Sequence, residues 1–147
     1  HIYLWLDVFA LDQSRSAERN SAKPAVWWTE WLREAMCAAG EACLVLPSWR
    51  DPAPLRRAWC LWELATAAEA RIPLTIATLP TPGASEPLAA SPVICTALLG
   101  RVDVRSATAS LASDRDAILR LAAAARGAIG FNEAVRAKLR EPLLEEG

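Results

Sequence analysis

Two short apolar runs, Ala42-Cys43-Leu44-Val45-Leu46-Pro47 and Ile72 to Leu79, bracket a stretch of helical composition from Arg56 to Ala70. Runs that brief and that apolar read as buried strands. Strands that alternate with helices over short connections imply right-handed βαβ units and a parallel sheet lying between helical layers. This alternation constrains the fold more than any other feature, and the remaining segments extend it.

Ile2 to Phe9 is a third such run, rich in aromatic and branched side chains, and reads as a strand buried on both faces with Asp7 near its end. Gln13 to Lys23 is polar and without apolar periodicity, so it reads as a long exposed loop. Asn20 or Ser21 offers an N-cap, and Pro24 suits the first turn of a helix that Gly40 closes. In that helix Trp27, Trp28, Trp31, Leu32, Ala35 and Ala39 make one apolar face, read as core. Beyond Leu79, the Pro-, Ser-, Gly- and Ala-rich segment 80–92 predicts a turn leading to a weak helix over Val93 to Gly100. Val102-Asp103-Val104 reads as a brief fourth strand. Ser113 or Asp114 caps a helix through Ile118, Leu119, Leu121, Ala122 and Ala125. A break at Gly127 to Gly130 separates it from a last amphipathic helix through Phe131, Val135, Leu139 and Leu143, with Glu133, Arg136, Lys138 and Arg140 on its wet side.

The 147 residues, 53% hydrophobic and 22% charged, are one domain's worth of soluble globular chain. Sixteen basic against seventeen acidic residues leave a net charge of -1, so no global field recruits nucleic acid or an anionic membrane. Cys37, Cys43, Cys60 and Cys95 have no metal-ligand spacing, and His1 is the sole histidine. That argues against a zinc site and against a Cys/His or Ser/His nucleophilic pair in this segment. Cysteines in runs such as Ala42 to Leu46 read as small buried hydrophobes of a reducing compartment. No apolar run approaches the roughly 20 residues of a membrane span, and the opening residues do not read as a basic-then-apolar signal segment. The chain begins without methionine inside a strand-like run, as expected of a piece of a longer protein.

In parallel sheets ligands gather beyond the carboxyl ends of the strands. By that rule Asp7 with the 10–23 loop, the 47–54 loop containing Trp49, and the start of the 56–70 helix converge on one rim. That helix carries Glu63, whose neighbours three and four positions away, Trp59, Cys60, Thr66 and Ala67, include no cation. An acid so placed beside a tryptophan is either a plain solvent-facing residue or a site.

Val45-Leu46-Pro47, a loop, Trp59-Cys60-Leu61-Trp62-Glu63-Leu64 and a next strand at Pro73-Leu74 together resemble the plant-type TIR domains. The opening Leu4-Trp5-Leu6-Asp7-Val8-Phe9-Ala10-Leu11-Asp12-Gln13 resembles the Trp-Ile-Asp signature of fungal heterokaryon-incompatibility (HET) domains, which are TIR-like in fold. The combination is similar to TIR-like modules of algal and oomycete multidomain proteins. The resemblance covers residues 2–79 well and 93–140 loosely. It implies a flavodoxin-like three-layer α/β sandwich with a parallel sheet, in which the first strand precedes this chain. Residues 1–147 then form a single N-terminally truncated TIR-like domain with an additional C-terminal helix over 127–147.

The resemblance also implies an intracellular, cytoplasmic signalling domain with NAD+ nucleosidase activity, Glu63 matching the catalytic glutamate of the NAD-cleaving members. NAD+ is then a substrate, with no permanently bound cofactor. The partners implied are further copies of the chain or other TIR-like domains. Cleaving the nicotinamide–ribose bond passes through a cation-like sugar that a carboxylate stabilises, and nicotinamide leaves neutral, so no strong general acid is needed. Trp59 or Trp49 can stack on a flat base, and Arg56 or Arg57 can meet phosphates near the helix N-terminus. Each has a plainer reading: Glu63 as a surface acid, the arginines as solvated helix-start residues, Asp7 as a loop cap, and Trp59 as part of the core. The competing function is a non-catalytic homotypic interaction module built on the same fold.

Overall fold

Residues Ala42–Leu46 (β1) and Leu74–Thr78 (β2) pair in parallel, in register from Ala42 opposite Leu74 to Leu46 opposite Thr78. They are joined through a short 3-10 turn, Ala53–Arg56, and a helix, α2, Ala58–Glu69. The expected βαβ unit is thus present. The structure, a computed structural model, describes residues 25–78 and 92–145. The strand expected at 2–9 with Asp7, the 13–23 loop, the caps at Asn20, Ser21 and Pro24, and the 80–91 turn lie outside the described residues. The other described helices are α1 (Ala25–Ala39), α3 (Pro92–Gly100) and α4 (Ala112–Glu145). Among the described residues no helix is long and apolar enough to cross a membrane.

The helix boundaries follow local chemistry. At the end of α1, Gly40 adopts φ 75° and its N–H donates to the Met36 carbonyl at 3.0 Å, the left-handed cap expected of it. At the end of α2 the Ile72 N–H bonds the Ala67 carbonyl and the Arg71 N–H the Ala68 carbonyl, a Schellman motif whose left-handed position holds Arg71 at φ 55° instead of a glycine. α4 is two helices meeting at Gly127, where φ 68° and ψ 162° interrupt the helical path. The expected break therefore falls at Gly127, while Gly130 lies inside the second half.

The core collects Leu44, Leu46 and Leu74 of the strands, Leu61 and Leu64 of α2, Ile94 and Leu98 of α3, and Ile118, Phe131, Val135 and Leu139 of α4. Each fully buried leucine contributes about 1.5–3 kcal/mol relative to exposure. The apolar face expected of the last helix, through Phe131, Val135, Leu139 and Leu143, is buried as read.

Several expectations are corrected. β1 is not buried on both faces: Leu44 and Leu46 are buried, whereas Cys43 and Val45 are exposed. Strand side chains alternate, and the described layers cover one side only. None of the four cysteines is buried, Cys37 and Cys43 being exposed and Cys60 and Cys95 half-buried. On α1 Leu32 is buried, but Trp28 and Trp31 are only half-buried and Trp27 is exposed. The three indoles pack on one another, Trp27 stacking on Trp31 at 6.5 Å with Trp28 set edge-on to both.

Val102-Asp103-Val104 is a turn segment, not a strand, although both valines are wholly buried. Side chains of α4 replace the ladder: Asn132 Oδ1 accepts from the Val104 N–H at 2.9 Å, and Arg136 donates to the Leu99 and Val102 carbonyls at 3.2 and 2.8 Å. Arg136 is therefore turned inward. Lys138 is likewise not on the wet side, being 3% exposed and paired with Glu141. Its long stem lets the apolar methylenes join the core while the ammonium meets a carboxylate at the edge. Asp114 does not cap α4; its carboxylate serves a tryptophan of α2.

Candidate functional site

α2 sorts the motif residues by helical periodicity. Ala58, Leu61, Leu64 and Ala65 go into the core, leaving Trp59, Trp62 and Glu63 half-buried on other sides of the helix. The Trp59 indole N–H donates to the Asp114 carboxylate at 3.1 Å, tying α2 to the start of α4. Trp62 stacks on Phe131 with ring centres 5.9 Å apart and planes 22° from parallel. Both tryptophans pack against the core, the plainer of the two readings given for Trp59.

Arg56 and Arg57 flank the helix start, as expected, and both are exposed. Arg56 is paired with Asp51, an ion pair that holds the Asp51 carboxyl below its usual range through the hydrogen bond and the charge of Arg56. Arg57 occupies the N-cap position without a side-chain cap hydrogen bond. The Ala58 N–H, one of the amides available to a phosphate, is taken by the Thr108 carbonyl at 2.8 Å. Trp49 is half-buried against the core, and the Arg50 guanidinium lies over its ring at 4.9 Å. One stacking face of Trp49 is thereby occupied.

The sheet places the 47–57 segment beyond the carboxyl end of β1, as the convergence argument requires. Asp7 and the 10–23 loop lie outside the described residues. The structure adds to that rim a segment that local patterning did not indicate. Residues 101–108 dock on it through a parallel bridge of Arg57 with Thr108, in which the Thr108 N–H donates to the Arg56 carbonyl at 2.8 Å. Thr108 and Asp114 lie roughly fifty residues along the chain from the groups they bind, and no sequence signal at that separation marks them.

A shallow, solvent-open hollow lies between α2 and α4, lined by Trp62, Thr66, Glu69, Arg126 and Phe131 among others. Glu69 at its edge is shared by Arg126 at 3.4 Å and Arg33 at 3.7 Å. None of Trp49, Arg56, Arg57, Trp59 or Glu63 lines it. Among the described residues no three His, Cys, Asp or Glu side chains cluster as a metal site would require.

No protein-family model matches the chain, and neither does any curated protein or solved structure. What stands without comparison is, among the described residues, a mixed helix–strand arrangement with a parallel two-stranded sheet and four helices.

Proposed function

We propose that the chain is a TIR-like cytoplasmic signalling domain of flavodoxin-like architecture that cleaves NAD+ with Glu63. The observation that supports this reading is the placement of the Trp-Cys-Leu-Trp-Glu-Leu stretch on the helix joining two parallel strands. There Leu61 and Leu64 anchor the helix in the core, and Glu63 stays half-buried one turn after the pinned Trp59.

In the reaction the C1′–N bond breaks, its electron pair leaves with nicotinamide, and the ribosyl cation formed is met by water, which loses a proton. Glu63 lies against the developing positive charge, and a preorganised carboxylate stabilises it more than bulk water does. Arg57, which has no carboxylate partner among the described residues, is the arginine left for a phosphate. Arg56, Trp49 and Trp59 have internal partners and serve chiefly to hold the rim together. Nicotinamide release from NAD+ that is lost in Glu63→Ala is the expected result. Release at the same rate in both proteins, or none from either, would sink the reading.

A second reading is favoured by those same internal pairings and by the hollow lying away from Glu63: a non-catalytic homotypic interaction module. It predicts that Glu63→Ala leaves association intact while changes on the exposed faces of α1 or of the second half of α4 abolish it.

A further inference from the structure

We propose that Asp114 is a positioning residue for the chemistry of Glu63, acting through the Trp59 indole that it holds beside Glu63. The proposal rests on the NAD+-cleaving reading above and adds to it a residue of another helix, 55 positions beyond Trp59.

Asp114 stands in the first turn of α4. Its carboxylate has one hydrogen-bond partner among the described residues, the Trp59 indole N–H at 3.1 Å, and no cation within 4.0 Å there. The neighbouring Arg115 is turned instead to Asp116 and to the Ala107 and Arg105 carbonyls. Asp114 is therefore committed to the indole. A helix start favours an ionised acid, and a charged acceptor makes a stronger bond than a neutral one. Asp114 and Trp59 are both half-buried, which shields the bond in part from competing water.

Glu63 follows Trp59 by four residues on α2. At 3.6 residues per turn that sets them about 40° apart around the axis, with Cβ atoms roughly 5–6 Å apart. Helical side chains lean toward the N-terminus, so Glu63 lies over the turn that carries Trp59. Trp62, the other half-buried tryptophan of α2, is turned to Phe131 and the hollow. The Trp59 indole is thus the aromatic wall on the Glu63 side of the helix. Two side-chain torsions set the angle of that wall, and several staggered wells are open to an unanchored ring. Core packing restrains one side of Trp59, and Asp114 fixes where its N–H points. Ribosyl transfer needs the carboxylate held against the sugar, and a displacement of about 1 Å costs about 100-fold in rate.

Nicotinamide release by the full chain, with kcat counted per folded molecule, tests this. Asp114→Ala should lower kcat by about 10- to 100-fold and change KM far less. Asp114→Asn keeps an acceptor for the indole N–H and should retain most of kcat. Trp59→Phe keeps an aromatic ring but loses the N–H, and should fall as far as Asp114→Ala. In that background Asp114→Ala should cost nothing more. Asp116→Ala removes an acid near the same helix start whose partner is Arg115, and should run at the wild-type rate. A merely structural role would lower the urea midpoint of Asp114→Ala and leave kcat per folded molecule unchanged. That result overturns the proposal while the Glu63 reading stands, as do losses that multiply in the double variant. If Asp114→Ala does not fold, Trp59→Phe decides, wild-type kcat there overturning the proposal. Wild-type release that is absent, or unchanged in Glu63→Ala, overturns the Glu63 reading and this proposal together.

Discussion

Replacing Gly127 with alanine tests how the chain turns between the two halves of α4. At φ 68° and ψ 162° the residue occupies a region essentially reserved for glycine. A Cβ built there meets no atom within 4 Å, so the penalty is one of backbone conformation and not of collision. Such a conformation costs an ordinary residue on the order of 1–3 kcal/mol. Alanine returns about 0.4–1 kcal/mol by restricting the unfolded chain, leaving a net loss of about 1–2 kcal/mol. Straightening the helix is not an easy escape. Arg126 is paired with Glu69 and Phe131 is stacked on Trp62, so both sides of the kink are tied to α2. A loss of that size lowers Tm by roughly 2–8 °C for a chain of this length. In urea it moves the midpoint down by about 0.5–1 M if the slope is about 2 kcal/mol/M. Urea unfolding followed by far-UV circular dichroism measures it. Gly100→Ala is the control, since Gly100 ends α3 without a positive φ and its Cβ also meets nothing. A Gly127→Ala midpoint equal to the wild type refutes the glycine-only conformation.

Three further outcomes follow from the geometry. Arg71→Gly should raise stability by about 0.5–1 kcal/mol, the left-handed strain relieved exceeding the entropy added to the unfolded chain, read as a higher urea midpoint. Asn132→Ala should cost about 1–3 kcal/mol by leaving the buried Val104 N–H without its acceptor, with hydrogen exchange accelerating first at Val104. Asp103 accepts from Arg105 and from Asn132, which holds its carboxyl below the ordinary 3.8. A depressed acid stabilises the fold above its ordinary pKa and loses that contribution as pH falls through the lower folded value. The stability gap between wild type and Asp103→Asn should hold steady at neutral pH and close on acidification below about 4. A gap that widens in acid contradicts the assignment.

The sequence alone determined the β1–α2–β2 unit, the cap at Gly40, the break at Gly127 and the buried face from Phe131 to Leu143. Each is encoded locally, in hydrophobic period or in a glycine's freedom to take positive φ, so neighbours a few residues away suffice to read it. The candidate site was legible only in part. Glu63, Arg56, Arg57, Trp49 and Trp59 could be named from their motif and helix position, but not their engagements. Only tertiary structure pairs Trp59 with Asp114, sets Thr108 on the start of α2, and turns Arg136 and Lys138 inward. It also replaces the expected fourth strand with a turn held by Asn132 and Arg136. Those contacts join residues tens of positions apart, and hydrogen-bond partners at that distance leave no periodic trace in the chain.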